Sequence, residues 1–322
     1  MAKTFCFLSK KGGVGKTTFT LNCAHALAFS RFRTLLIDMD GQANLTKHLL
    51  SRSDLAENAM ENSKEVEVGN ENVTGTTKVT SLPNISQVLL RRTPALEAIL
   101  TTGYENLDLL AGSTTLDDLP IMDPRLIREP TRFKNILQEV SAEYDFILVD
   151  CPPSVNWLTR MVLFATDKVI VPIQAEPYAL QGLRDLIPIL DKMSTTAQLH
   201  KIVINMFRAN TQLHQGLLKE ILAEFSPRVA KQTVRQTIQL AEAAKAGLSI
   251  FEYAPASVGA LDLYALCWEL FELSPDKVKI LARDRNVNSV APETSAPTEI
   301  SVATEASEEL VTSDRIEIES EN

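Results

Sequence analysis

The chain has 322 residues, 45% of them hydrophobic and 23% charged, which suits one large α/β domain with additions or two small domains. Its formal net charge of −9 argues at first sight against a nucleic-acid partner, but residues 286–322 hold nine acids and one base, a net of −8, leaving −1 on residues 1–285. No signal peptide opens the chain and no apolar stretch approaches the ~20 residues of a spanning helix, so a cytoplasmic protein without membrane contact is expected.

In chain order, a strand-like run at 4–8 leads into Lys10-Lys11-Gly12-Gly13-Val14-Gly15-Lys16-Thr17-Thr18 and then a helix over 17–30. This segment meets the GxxxxGK[ST] pattern only loosely, yet its physical logic is the same. Small residues let the backbone N–H groups of Gly12, Gly13, Val14 and Gly15 curl around phosphate oxygens, and the helix N-terminus adds a favourable dipole. Lys16 brings positive charge to the β/γ phosphates, the Thr17 hydroxyl joins a magnesium shell, and Thr18 continues the cradle. ATP and Mg2+ are the expected ligands.

A second strand at 34–37 ends in Asp38-Met39-Asp40-Gly41-Gln42-Ala43-Asn44. Two carboxylates beside a triphosphate are costly unless they serve metal or water. Asp40 is the candidate for orienting the attacking water; for Asp38, sharing that task, serving the metal and simply holding the loop all stay open. Residues 52–81 are polar, with six acids, and read as a surface insertion or mobile loop. Further strands fall at 107–110, 146–149, 168–172 and 201–204, with helices over 132–141 and 181–195. Short strands apolar on both faces, alternating with helices, predict a mostly parallel sheet flanked by helices. The strand at 146–149 ends in Asp150, at the sheet edge where ligands of such folds bind, and Asp150 is the expected acidic partner of the metal.

The cysteines Cys6, Cys23, Cys151 and Cys267 lie far apart and form no CxxC pair, so buried, reduced thiols are expected. Between residues 200 and 245 stand seven bases and three acids, a local net of +4. By composition alone that window is as well explained by a solvated mixed surface as by a nucleic-acid contact. The last segment, 286–322, is rich in Ser, Thr, Glu and Pro and is expected to be a disordered acidic tail, leaving 1–285 as the ATPase domain.

With the loop at 11–18, the run from Asp38 to Asn44 and Asp150-Cys151-Pro152-Pro153-Ser154 in hand, the sequence resembles the ParA/MinD/Soj family of partition ATPases, which carry a deviant Walker A loop. Residues 166–176 and 234–243 are similar to later segments of the family, and the resemblance covers roughly 3–275. It implies a slowly hydrolysing ATPase, stimulated by a ParB-like or cargo-adaptor protein, that forms a homodimer with ATP and binds non-specific DNA. Lys11 looks like the signature lysine that reaches the partner subunit's phosphates. Asn205 sits where relatives contact adenine. With the basic window, the resemblance makes Lys219, Arg228, Lys231 and Arg235 the candidate DNA contacts and implies a nucleoid-associated protein.

Three departures matter. Gly41 replaces the proline usual after the water-positioning aspartate, which implies a more mobile loop. Gln239 falls where many relatives carry an arginine. The loop lies at the start of the chain, so no N-terminal helix-turn-helix and no operator binding are expected. Two other classes compete: a membrane-surface ATPase, which would need a basic amphipathic C-terminal helix where the sequence is acidic, and a metabolic P-loop enzyme. An iron–sulfur reductase would need paired cluster cysteines, which Cys151 alone does not supply.

Overall fold

The computed structural model describes residues 1–50, 64–67, 78–193 and 197–273. The described residues lie within one compact unit. The tail expected at 286–322 lies outside the described residues, as does most of the polar insertion.

Seven strands form the main sheet: β1 (Lys3–Phe7), β2 (Thr34–Asp38), β5 (Ile99–Thr101), β6 (Leu107–Leu110), β7 (Phe146–Asp150), β8 (Lys168–Gln174) and β9 (Gln198–Asn205). Their order is β5-β6-β2-β7-β1-β8-β9, and every neighbouring pair is parallel except β5 with β6. The predicted mostly parallel sheet is therefore the observed one. Alternation along each strand feeds two cores. Phe5 and Phe7, Leu36, and Phe146 and Leu148 face one side, where they meet α1 (Lys16–Phe29) and the helix Val258–Phe271. Cys6, Ile37, Ile147 and Val149 face the other, under the helices Arg132–Val140, Trp157–Ala165, Ala179–Met193 and Gln212–Phe225. Each fully buried Leu, Ile or Phe in these layers contributes about 1.5–3 kcal/mol of transfer free energy.

The insertion read as a loop over 52–81 contains a regular element. β3 (Lys64–Glu67) and β4 (Lys78–Ser81) pair antiparallel, with Val66 opposite Val79 and Glu67 opposite Lys78.

Both rims of the main sheet are finished. β5 has only three residues and runs antiparallel to its neighbour. Beyond β9, the chain from Arg228 to Arg235 lies alongside, with bridges Ile202↔Val229 and Phe207↔Arg235. The four cysteines are free and buried. Though distant in sequence they meet as two pairs: Cys23 and Cys267 sulfurs lie 3.3 Å apart, and the Cys151 thiol hydrogen-bonds with Cys6.

Candidate functional site

Chain connections from β1 lead to β2 on one side, and those from β7 lead to β8 on the other, so the sheet changes winding direction around β1. The crevice at the strand C-termini, where such folds bind ligands, falls over the loop that follows β1. That loop turns through two left-handed glycines, Gly13 at φ 75° and Gly15 at φ 98°. Gly15 is doubly constrained, because a β-carbon there would lie 2.4 Å from Asn205 Nδ2. Gly12 and Gly13 have open space above them. The loop thus presents backbone rather than side chain to a ligand.

Lys16 opens α1 and is buried, 7% exposed. Beside it, the Thr17 hydroxyl donates to Asp150 Oδ2 at 2.6 Å, and Thr20 Oγ1 lies 3.4 Å from the other Asp150 oxygen. Asp150 is the last residue of β7, with no exposed surface, and Asp38 is its register partner on β2. Burial, and then the nearby Asp38 carboxylate, push the Asp150 carboxyl from its ordinary 3.8 up to about 8. Burial also raises Asp38.

Asp38 spends both oxygens on its own loop. Oδ1 accepts from the Asp40 N–H at 3.2 Å, and Oδ2 accepts from the Thr46 N–H at 2.9 Å and the Thr46 hydroxyl at 2.8 Å. Asp40 is half-exposed and its Oδ1 accepts from the Gln42 N–H at 2.9 Å, closing the turn into α2 (Asn44–Leu50). The Asn205 amide is turned inward, donating to the Val14 carbonyl at 2.7 Å and accepting from the Met206 N–H. Thr18 is half-buried on the first turn of α1, and Lys11 stands exposed on the rim of the loop.

These donors fit a phosphate chain with a divalent cation. Thr17 and Asp150 offer hard oxygens, and two neighbouring acids whose carboxyls are both raised by burial form an environment that a cation relieves. Among the described residues no group of three or more His, Cys, Asp or Glu is placed to hold a metal by itself. Phosphate oxygens and water would then complete the shell, as magnesium sites commonly do.

The four candidate DNA contacts are not equivalent. Lys219, Arg228 and Lys231 are exposed, Lys219 on the helix Gln212–Phe225 and the other two beside β9. Arg235 is committed instead to Asp262, 4% exposed at its side chain, through Nη2 at 2.7 Å and Nε at 2.9 Å. Lys201, also in the basic window, pairs with Glu269 at 3.3 Å.

Several residues of the site were not singled out from sequence. Thr46 and Gly112 hold Asp38, since the Gly112 N–H donates to Thr46 Oγ1 at 2.8 Å. Gln174, ending β8, donates to the Gly13 carbonyl at 3.0 Å. For Gln174 the signal is a polar residue ending an apolar strand, and for Gly112 a glycine two residues past β6.

Fold and site together define a P-loop nucleotide-binding protein of the deviant Walker A type. A family profile described as AAA domain matches residues 2–204. The chain is 31% identical over 265 residues to the sporulation initiation inhibitor protein Soj of Bacillus subtilis, covering 81% of this chain and 94% of that one. It is likewise 31% identical over 278 residues to the chromosome-partitioning ATPase Soj of Treponema pallidum, covering 84% and 97%. Apo McdA of Cyanothece shares the fold with a TM-score of 0.67 at 17% identity, over 84% of this chain and all of that one. The chain belongs to the Soj/ParA family of partition ATPases.

Proposed function

We propose that this chain binds ATP with magnesium, forms a homodimer in that state and holds non-specific DNA. A ParB-like or cargo-adaptor protein then stimulates its slow ATP hydrolysis and ends the DNA-bound state. The observation that carries this reading is the division of labour between two lysines on one loop. Lys16 is buried at the start of α1, whereas Lys11 is exposed on the rim of the loop, which supports a role for Lys11 towards phosphates held by a second copy. Two triphosphates brought face to face need that added charge.

Within one subunit the backbone from Gly12 to Thr18 and Lys16 hold the phosphates, and Thr17 with Asp150 hold the cation. Bound magnesium neutralises charge building on the β and γ phosphate oxygens. Asp38 fixes the turn that carries Asp40, and Asp40 orients the attacking water. Asn205 supports the loop from below and borders the nucleoside. Exposed Lys219, Arg228 and Lys231 supply sequence-independent DNA contacts, doubled in a dimer, which would place the protein on the nucleoid in the cytoplasm.

An anisotropy titration of labelled random duplex tests this reading at several salt concentrations, with ATP, with ADP and without nucleotide. Affinity falls with log salt at a slope of about −0.9 per phosphate neutralised. ATP should strengthen binding and steepen that slope, and ADP should do neither. Equal, weak binding in all three states rejects the DNA-carrier reading.

A further inference from the structure

Lys11 has a partner within its own subunit. Its Nζ contacts Glu176 Oε2 and lies 3.4 Å from Gln174 Oε1. Glu176 does not swing on a free tail: its N–H donates to the Gln174 carbonyl at 2.8 Å, and its own carbonyl accepts from the Ala179 N–H at 2.9 Å. Gln174 also donates to the Gly13 carbonyl at 3.0 Å. The end of β8 therefore grips both the backbone of the phosphate loop and its outer lysine.

The grip is reversible by its nature. The Lys11 and Glu176 side chains are 56% and 49% exposed, so water and salt screen the pair. A single carboxylate holds the ammonium against nothing stronger in the isolated subunit. A triphosphate, carrying several negative charges, outcompetes it when a second subunit brings one within reach.

We infer that Glu176 is a positioning residue for Lys11: it folds the lysine back over its own loop until a partner subunit's phosphates draw it away. The inference rests on the reading that Lys11 acts across an ATP dimer. Dimerisation then includes breaking one Lys11–Glu176 pair in each subunit, which raises the protein concentration needed to form it. An exposed ion pair shifts an equilibrium by about 1.5- to 5-fold, so two of them shift it by about two- to thirtyfold.

The test measures the protein concentration at half-dimerisation by sedimentation with a slowly hydrolysed ATP analogue, and ADP affinity by fluorescence titration. Glu176→Gln should lower the half-dimerisation concentration by about two- to thirtyfold while leaving ADP affinity within twofold. Glu176→Ala should do the same, and Glu176→Asp, which keeps the charge, should return the midpoint towards wild type. Lys11→Ala should remain monomeric throughout. If Lys11→Ala is monomeric but Glu176→Gln dimerises no more readily than wild type, the positioning role is overturned and the role of Lys11 across the dimer stands. If Glu176→Gln weakens ADP binding without lowering the midpoint, Glu176 merely supports the loop and the inference is likewise overturned. If Lys11→Ala dimerises as wild type does, the reading across the dimer falls and the inference falls with it.

Discussion

Gly112 packs so closely on Asp38 that a β-carbon there would sit 2.8 Å from the Asp38 carboxylate carbon and 3.0 Å from its carbonyl oxygen. Asp38 is fully buried and hydrogen-bonded by Thr46, so Gly112→Ala has to displace a carboxylate that has nowhere to go. The expected cost is about 1–3 kcal/mol of stability, with weakened magnesium-dependent nucleotide binding. Gly41 provides the contrast. Its β-carbon would meet Asp117 Oδ2 at 2.4 Å, but Asp117 is exposed and can rotate away. Gly41→Ala should cost below about 0.5 kcal/mol. Urea unfolding compares the two, and equal costs would count against this account.

Asp40 closes its turn with one oxygen and leaves the other uncommitted to any described hydrogen bond. If its task is to orient water, Asp40→Ala should bind ATP-Mg normally and turn it over about a hundredfold more slowly. It should then accumulate as dimer. Single-turnover hydrolysis with light scattering checks this; a monomer with wild-type turnover removes the assignment.

Asp150 makes the site sensitive to pH. Because its carboxyl is raised to about 8, the nucleotide-free folded protein keeps a proton there that the unfolded chain loses near 4. By linkage, this group's contribution to stability is complete below the unfolded value and falls as pH rises towards 8. Cation binding runs the other way, since only the ionised carboxylate can serve a metal. Magnesium–nucleotide affinity should therefore rise with pH between about 6 and 8, by up to about tenfold per unit, and level off above. Calorimetry in buffers of different ionisation enthalpy counts the proton released, and comparison with Asp150→Asn removes the nucleotide's own ionisation. Identical pH profiles for the two proteins would contradict the prediction.

Charge reversals on the basic window should separate folding from DNA binding. Lys231→Glu alters an exposed side chain, so stability should stay within about 0.5 kcal/mol while random-duplex affinity falls for all sequences alike. Arg235→Glu instead sets a carboxylate against the buried Asp262 and should cost about 1–3 kcal/mol, less than for a wholly buried pair because Arg235 is half exposed. Thermal unfolding and anisotropy on both variants read the difference. Equal loss of stability would mean that the Arg235–Asp262 pair carries no weight.

Apolar runs in the sequence located six of the seven main strands. The missing one, Ile99–Thr101, is three residues at an antiparallel edge, too short to leave a periodic signal. Gly12 to Thr18 was legible because the loop is contiguous and its chemistry narrow. Thr46 with Gly112 and Gly13 with Gln174 were not, since those contacts join positions 66 and 161 residues apart. Counting charge from 200 to 245 could not reveal that Arg235 is neutralised, because Asp262 lies 27 residues further on. Likewise the thiols of Cys23 and Cys267 touch only because α1 and the helix Val258–Phe271 cross on one face of the sheet.

The chain lying beyond β9 has a consequence for crowded conditions. Ile202 and Val234 donate to the Arg228 and Ile204 carbonyls at 2.8 and 2.9 Å, Ala230 donates to Ile202 at 2.8 Å, and Phe207 donates to Val234 at 2.9 Å. These bonds consume the outward backbone groups along which a stray strand would otherwise dock. At the far rim, a three-residue strand offers little to extend. Growth of the main sheet by strand addition, one route to fibres, is thereby hindered at both rims. Two crowded copies therefore find no long open edge of the main sheet to share.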